Sequence, residues 1–376
     1  MGSRKKLRIL VFSWRDPKHP NTGGAEQVMH EHMKGWVRTG HKVTLFVSRT
    51  SNLPQSEIID GVSVVRCGWQ YLGVQITGCL YYLKHRDKFD LVVDQFHGIP
   101  FFTPLYVKKP RLAVIQEVAR EVWLKNDLPQ PLNIIVGLIG YIFEPPIFLF
   151  YKKTPFMTGS ESAKEDLIKI GIPAKNITII NHGVIVQKPN PFPRKEKIKT
   201  VMFLGAISKD KGIEDVLKVF ASLKKKGNFQ FWIVGRASDL YRKLIEDKID
   251  QYGIKVNTNF FGFVSQEKKF ELLARAHILV NPSVLEGWGL VNIEANAMGT
   301  PVVAYRSRGL IDSVKNGVTG ILCQTNNPNT LAKYVVKVLN DKKLYKSLRK
   351  GSLAWADKFN WKSSVEKSLT LIKGII

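Results

Sequence analysis

Cysteine is scarce: Cys67, Cys79 and Cys323 are all that the 376 residues contain, they lie far apart, and their number is odd. That excludes a disulfide scaffold and a zinc ribbon, which need paired or clustered thiols, and it fits a reducing compartment. Acidic residues are short as well, 31 Asp+Glu against 57 Lys+Arg, for a formal charge of +26. Such an excess favours an anionic partner: nucleic acid, a phosphorylated substrate or an acidic membrane. It is spread over both halves of the chain, so no detachable basic tail carries it. The opening residues run straight into the strand-like Ile9 to Phe12 without an apolar stretch of signal-peptide length. Secretion is therefore not expected, and a cytoplasmic location is.

Long apolar runs are nearly absent. One segment, Leu132 to Tyr151, is almost wholly apolar but is broken by Glu144 and Pro145-Pro146, which argues against a bilayer-spanning helix. Two readings stay open. One is a buried helix followed by a second short one; the other is a surface helix dipping into lipid headgroups beside Lys152 and Lys153.

What is present is enough for sizeable cores: 44% hydrophobic and 23% charged residues, in a chain longer than one core usually supports, so two domains are expected. From Arg8 onward, short β-branched runs alternate with longer amphipathic stretches, the pattern of βα units that builds a parallel sheet covered on both faces. Strands are predicted at Ile9 to Phe12, Val43 to Val47, Val62 to Val65, Leu91 to Val93, Leu112 to Ile115, Pro155 to Thr158 and Ile177 to Ile180. After the proline-rich, basic stretch Lys188 to Lys199, which has little capacity to pack, a second βα series starts at Val201. The expected organisation is a first domain over 1–186, a linker over 187–199 and a second domain over 200–376, with the last helix able to cross back to the first. The fold class is α/β, two Rossmann-like doubly wound domains facing across a cleft, because such sheets bind ligands outside the carboxyl ends of their strands.

The most specific motif runs from Asn281 through Glu286-Gly287-Trp288-Gly289-Leu290-Val291 to Glu294 and Pro301. A strand ends, glycines let backbone approach a ligand, and a helix begins with its N–H groups facing that ligand, a ready site for phosphate oxygens. Glu286 precedes the helix and Glu294 lies about two turns further on, so the pair can hold two separated hydroxyl-bearing parts of one molecule. Lys211, between Gly205 and Gly212 after the strand at Val201, suits phosphate as a point charge. In the first half, Gly23-Gly24 follows a strand and opens a helix, and His97 follows the strand Leu91 to Val93, where it is placed for a ligand rather than for the core. The other histidines, including His30 and His32, lack metal spacing and read as surface or structural.

The P-S-x-x-E-G-x-G-L-x-x-x-E-A frame around Glu286 and Glu294 resembles the signature of retaining nucleotide-sugar-dependent glycosyltransferases of family 4, which have the two-domain GT-B architecture. Further similarity lies at Thr22 to Glu26, Gly159 to Ser162, Asn181 to Val184, Lys211-Gly212, Gly262 to Val264, Asn316 to Gly320 and Phe359 to Trp361. The resemblance implies that Glu286 and the N–H groups of Trp288 and Gly289, with Gly287 in the turn, meet the donor sugar, that Leu290 and Val291 hold the diphosphate, and that Glu294 accepts from the ribose. It puts Lys211, beside Gly205, on phosphate and Phe263 near the nucleobase; their positions after first-domain strands put Gly23 and Gly24 at a diphosphate or the reacting sugar and His97 on the acceptor side. Lys211, Glu286 and His97 are the expected catalytic groups, with no metal and no cofactor beyond the nucleotide diphosphate sugar.

Two positions depart from the family's pattern. Ala206 stands where relatives carry a phosphate-binding arginine, and Arg236 after the next strand is either its replacement or a plain surface arginine. Gln116 stands where many relatives place a histidine; glutamine hydrogen-bonds but does not titrate. Arg120 nearby either contacts an anionic acceptor or pairs with Glu121. The resemblance implies a retaining transferase that moves a hexose from a UDP-sugar, or second from GDP-mannose, to an acceptor hydroxyl; the net charge and the apolar stretch at 132 to 151 point to a lipid-linked glycan or glycolipid as that acceptor. The expected location is peripheral, on the anionic cytosolic face of a membrane, and no nucleic-acid partner is expected. The alternatives are a non-catalytic glycan- or lipid-binding protein on the same fold, or a nucleotide-sugar epimerase.

Overall fold

In the computed structural model the described residues are 6–376 except Tyr71, His97, 120–122, 125–129, Leu285 and the side chain of Leu240. The chain divides into two compact units, Met1–Gly183 with Asn360–Ile376, and Val184–Phe359.

The first unit is built on an eight-stranded sheet in the order β3-β4-β2-β1-β5-β6-β7-β8. Its strands are β1 (Arg8–Phe12), β2 (Lys42–Val47), β3 (Ser56–Ile59), β4 (Val62–Arg66), β5 (Leu91–Gln95), β6 (Arg111–Val114), β7 (Phe156–Thr158) and β8 (Ile177–Ile179). All pairs are parallel except β3 with β4. Strand β3, and with it the hairpin to the predicted β4, was not among the predicted strands. Its sign is Asp60-Gly61 between two β-branched pairs, and both residues take positive φ, 50° and 83°, as a tight hairpin turn requires.

Residues opposite each other in a parallel pair share a face. Leu10 pairs with Val92, Phe12 with Asp94, Asp94 with Ala113 and Ala113 with Phe156. This face is covered by α2 (Gly73–His85), α3 (Thr103–Tyr106) and the end of α4 (Leu132–Leu149), through Val74, Tyr82, Tyr106 and Phe148. The other face, with Ile9, Val11, Leu91 and Val93, is covered by Met29, Met33 and Trp36 of α1 (Gly24–Arg38) and by Leu369 and Ile372 of the C-terminal helix Trp361–Ile375. Each such side chain, fully buried, contributes about 1.5–3 kcal/mol. His32 and Trp36 of α1 both reach Ser368 Oγ on that C-terminal helix, at 3.0 and 2.9 Å. His32 is thus a buried structural group, not a surface one.

The 132–151 segment corrects one of its two readings. It is a single helix that runs through both prolines, and it is not buried: Gly137, Glu144 and Phe148 are its buried residues. By length and composition it could cross a membrane, and it is the one such helix among the described residues. A short helix, α5 (Glu161–Lys169), leads to β8 and completes the unit.

The second unit is a six-stranded sheet, β11-β10-β9-β12-β13-β14, parallel throughout. The strands are β9 (Lys199–Leu204), β10 (Phe229–Val234), β11 (Thr258–Gly262), β12 (Ile278–Asn281), β13 (Val302–Ala304) and β14 (Gly320–Leu322). Its helices include α6 (Ile213–Lys224), α7 (Asp239–Gln251), α8 (Gln266–Arg275) and α9 (Leu290–Ala297). Strand order reverses between β9 and β12, the place where doubly wound sheets hold ligands. The proline-rich 188–199 stretch, expected to pack little, is anchored here. Lys195 Nζ donates to Ala276 O at 2.5 Å and Thr300 Oγ1 at 2.6 Å, and Glu196 pairs with Arg275 at 2.6 Å. A buried amine with two acceptors replaces the apolar periodicity that the sequence lacks.

Candidate active site

The loops after β9 and β12 are neighbours because their strands pair, and hydrogen bonds lock them together. Val284 N donates to Asp210 O at 3.0 Å and Ser283 Oγ to the same oxygen at 3.3 Å. Glu286 N donates to Arg308 O at 3.2 Å, tying in the loop after β13. The result is an ion pair across the switch point, Lys211 Nζ to Glu286 Oε1 at 2.9 Å, with both side chains partly solvent-accessible. Asp210 stands 3.8 Å from the same ammonium.

Behind the pair, a buried relay fixes the start of α9. Asn281 Nδ2 donates to Asn292 Oδ1 (2.9 Å), Asn292 Nδ2 to Ser313 Oγ (2.9 Å), and Ser313 Oγ to Gly309 O (3.1 Å). Gly289 is the N-cap, at φ 74°, a left-handed conformation that a side chain would strain. The first N–H groups of α9 have no acceptor within the helix, as at any helix start. Trp288 turns its ring into the core, 6% exposed, with its centroid 5.3 Å from that of Phe359. Its side chain is therefore not available to a ligand.

Glu294, on α9, is 14% exposed and pairs with Lys269 of α8 at 2.5 Å. Burial pushes its carboxyl above the ordinary glutamate value, and Lys269 opposes that. The sequence reading missed Lys269: it is one of several basic residues on an amphipathic helix, and its partner is 25 positions away.

Gly205 and Gly235 directly follow the neighbouring strands β9 and β10, and Gly262 ends β11 beside them. Gly205 N donates to Val234 O (3.0 Å) and Gly235 N to Gly262 O (2.9 Å). A Cβ at Gly235 would collide with the Gly205 carbonyl, so the loops touch backbone to backbone. Ile207 N donates to Arg236 O at 2.8 Å, bringing Arg236 beside the Ala206 loop. The Arg236 guanidinium lies 4.7 Å from the ring centroid of Phe263, an aromatic left 73% exposed. The structure thus gathers Gly205, Lys211, Arg236, Phe263 and the 286–294 motif at the carboxyl ends of one sheet.

In the first unit, Glu26 orders the Gly23-Gly24 loop. Gly23 N donates to its Oε2 at 2.8 Å, and Arg15 Nε pairs with its Oε1 at 2.9 Å. A pocket beside this loop is lined by Ser13, Arg15, Glu26, Gln95, Phe96 and Gln116. Gln95 Nε2 donates to Ala25 O (3.0 Å), while Gln95 Oε1 and Gln116 Nε2 have no hydrogen-bond partner among the described residues. Gln116 Oε1 accepts from His182 Nε2 at 2.6 Å. His97 and Arg120 fall outside the described residues. Asp94, which precedes His97, is structural: buried, it accepts from Tyr151 Oη (2.6 Å) and Thr103 Oγ1 (2.8 Å). No three His, Cys, Asp or Glu side chains gather as a metal set among the described residues.

Burial lowers His182 to about 3, and His32 and His277 to about 4. Between those values and the ordinary 6.5 the unfolded chain binds more protons than the folded one, so stability rises with pH there. Stability from these histidines is complete above about pH 6.5 and lost as pH falls toward 4, and for His182 toward 3. Melting temperature measured across that interval is expected to drop on acidification, and His182→Gln to flatten the curve.

Residues 186–355 match the family of glycosyl transferases group 1. That match spans 170 of the 376 residues, nearly all of the second unit. It is similar to an uncharacterised glycosyltransferase of Methanocaldococcus jannaschii, 26% identical, with 89% of this chain and 90% of that protein aligned. Among solved structures it resembles sucrose-phosphate synthase from Thermosynechococcus elongatus (TM-score 0.78, 19% identity, 98% and 99% of the two chains). It also resembles the Anabaena protein HepE in complex with UDP-glucose (TM-score 0.74, 17% identity, 98% and 100%). At these identities the structural likeness establishes the fold, which is GT-B, and the family match establishes a glycosyltransferase.

Proposed function

We propose that the transferase moves a hexose from a UDP-sugar, with GDP-mannose as the second candidate, to an acceptor hydroxyl with retention of configuration and without a metal. The observation that carries this reading is the Lys211–Glu286 pair at the switch point, 2.9 Å apart, beside the first N–H groups of α9. A nucleotide diphosphate leaving group gathers negative charge, which an ammonium and preorganised amides stabilise, while Glu286 can accept from sugar hydroxyls and Glu294 from the ribose. HepE, whose structure contains UDP-glucose, supports uridine as the first nucleotide to test.

In this reading the bond from the sugar's anomeric carbon to phosphate oxygen breaks with its electrons going to the diphosphate. The acceptor oxygen attacks from the same face, and its proton passes to the departing phosphate. No protein base is required, which is consistent with glutamine at 116. The Gly23-Gly24 loop and the Gln95–Gln116 pocket supply hydroxyl-binding groups for the acceptor side. That acceptor is a lipid-linked glycan or glycolipid at the cytosolic face of a membrane.

Thermal-shift titration with UDP-, GDP- and ADP-sugars identifies the donor, since a ligand bound only by the folded state raises its melting temperature. Proton NMR of the product then reads the anomeric configuration. Inversion at the anomeric carbon, or binding without turnover, would sink the mechanism; an altered sugar with no new linkage would point to an epimerase. Arg236→Ala is expected to weaken UDP binding about tenfold, the loss of one charged hydrogen bond to phosphate. Unchanged affinity by calorimetry would make Arg236 a surface residue rather than the substitute for the cation missing at Ala206.

A further inference from the structure

Helices α2 and α4 pack on the same face of the first sheet, α2 through Val74 and Tyr82 and α4 through Phe148. Their outer sides are apolar and uncovered. On α2 and its N-cap, Leu72, Ile76, Leu80 and Leu83 form one stripe at helical spacing, each between 48% and 61% exposed. On α4, Ile135, Leu138, Ile139, Ile142 and Phe143 are between 48% and 59% exposed. Single exposed hydrophobics are ordinary, but two helices presenting them in rows mark an interaction surface. Trp69, 70% exposed, stands just before α2, an aromatic suited to the boundary between lipid and water.

The charge around the stripes selects the partner. Exposed Lys84 and Lys88 follow the α2 stripe, Lys108 and Lys109 follow α3, and Lys152 and Lys153 follow α4. Against them stand Asp87 and Asp90, the latter paired with Arg8. The acid within α4, Glu144, is 2% exposed; it accepts from Ala119 N at 2.9 Å and Trp123 Nε1 at 3.2 Å. Those bonds clamp α4 along the unit, so the helix is held to lie on a membrane rather than to cross it.

We propose that the outer face of α2 and α4 docks this chain onto an anionic lipid bilayer, with the isoleucine and leucine rows in the acyl boundary and the lysines at the headgroups. The proposal rests on the surface alone and stands apart from the sugar-transfer reading.

The test is co-sedimentation of the full chain with phosphatidylcholine vesicles and with mixed phosphatidylcholine–phosphatidylglycerol vesicles. Partition onto the mixed vesicles is expected to be several-fold stronger and to weaken with salt. Ile135→Glu with Ile139→Glu, and separately Ile76→Glu with Leu80→Glu, are each expected to lower partition about tenfold or more, from lost apolar burial and added charge. Their melting temperature and UDP-sugar binding remain as in the parent, which separates this result from failure of the donor site. Lys152→Ala with Lys153→Ala should reduce both partition and its salt dependence. Equal binding to the two vesicles, no binding to either, or unchanged partition in both isoleucine and leucine variants would overturn the proposal. So would a dimer that these substitutions convert to monomer while vesicles go unbound, since the face would then belong to a second copy.

Discussion

Alanine at Lys211 is expected to lower kcat for sugar transfer by about 10²–10³-fold, the cost of removing one preorganised donor from a site where charge develops. The ammonium is held by Glu286 at 2.9 Å and stands 3.8 Å from Asp210, so without ligand it is balanced by carboxylates. A diphosphate arriving at the start of α9 offers it a denser negative charge, and Glu286 is released to accept from sugar hydroxyls. The two halves of the pair should therefore fail differently. Lys211→Ala raises the dissociation constant for UDP itself. Glu286→Gln leaves UDP affinity nearly unchanged, because the ammonium remains, and removes most of the added affinity for UDP-sugar over UDP. Calorimetry with UDP and UDP-glucose separates these outcomes. Neither variant should melt more than a few degrees from the parent, since a partly exposed ion pair contributes about 0–1 kcal/mol. Wild-type turnover in Lys211→Ala would remove the basis of the proposed chemistry.

How much of this was legible in the sequence follows from which interactions are local. The β-branched runs of β1, β2, β9 and β10 are buried on both faces of parallel sheets, and so they read as continuous apolar strands. The Glu286–Glu294 frame was legible because its glycines and acids sit within one turn-to-helix stretch. Lys269 was not, because nothing around it in α8 marks which lysine faces Glu294. Nor was the His182–Gln116 bond, whose partners lie 66 positions apart. The fate of 132–151 turned on what covers it: an apolar run looks the same whether the rest of the chain buries it or leaves it bare, and only the packing of Gly137, Glu144 and Phe148 against the first unit decides the matter. The 188–199 stretch misled for the converse reason, since polar contacts of Lys195 and Glu196 do the anchoring that patterning reads only from apolar residues.

Replacing Lys269 with methionine is expected to produce the largest loss of stability, and one that depends on pH. Glu294 is nearly buried and its carboxyl is already raised by desolvation, with Lys269 holding it down. Without the ammonium only desolvation remains, so the carboxyl rises further. An acid whose folded value exceeds its unfolded value binds more protons in the folded state, and stability falls as pH climbs from the ordinary glutamate value through the folded one. The variant should therefore resemble the parent near about pH 4.5 and lose on the order of 3–5 kcal/mol by about pH 8, the penalty for an uncompensated buried charge. Titrating histidines contribute equally to both proteins and cancel in the difference. Adding Glu294→Gln to Lys269→Met removes the charge, and most of the loss at alkaline pH should return, whereas a purely steric defect would not be rescued. Urea midpoints of the parent, single and double variants at both pH values give the answer. A pH-independent loss, or none, would mean that Lys269 does not support Glu294. Donor binding in the single variant adds a second readout: a Glu294 kept protonated accepts poorly from ribose hydroxyls, so UDP affinity should fall at neutral pH even where the protein stays folded.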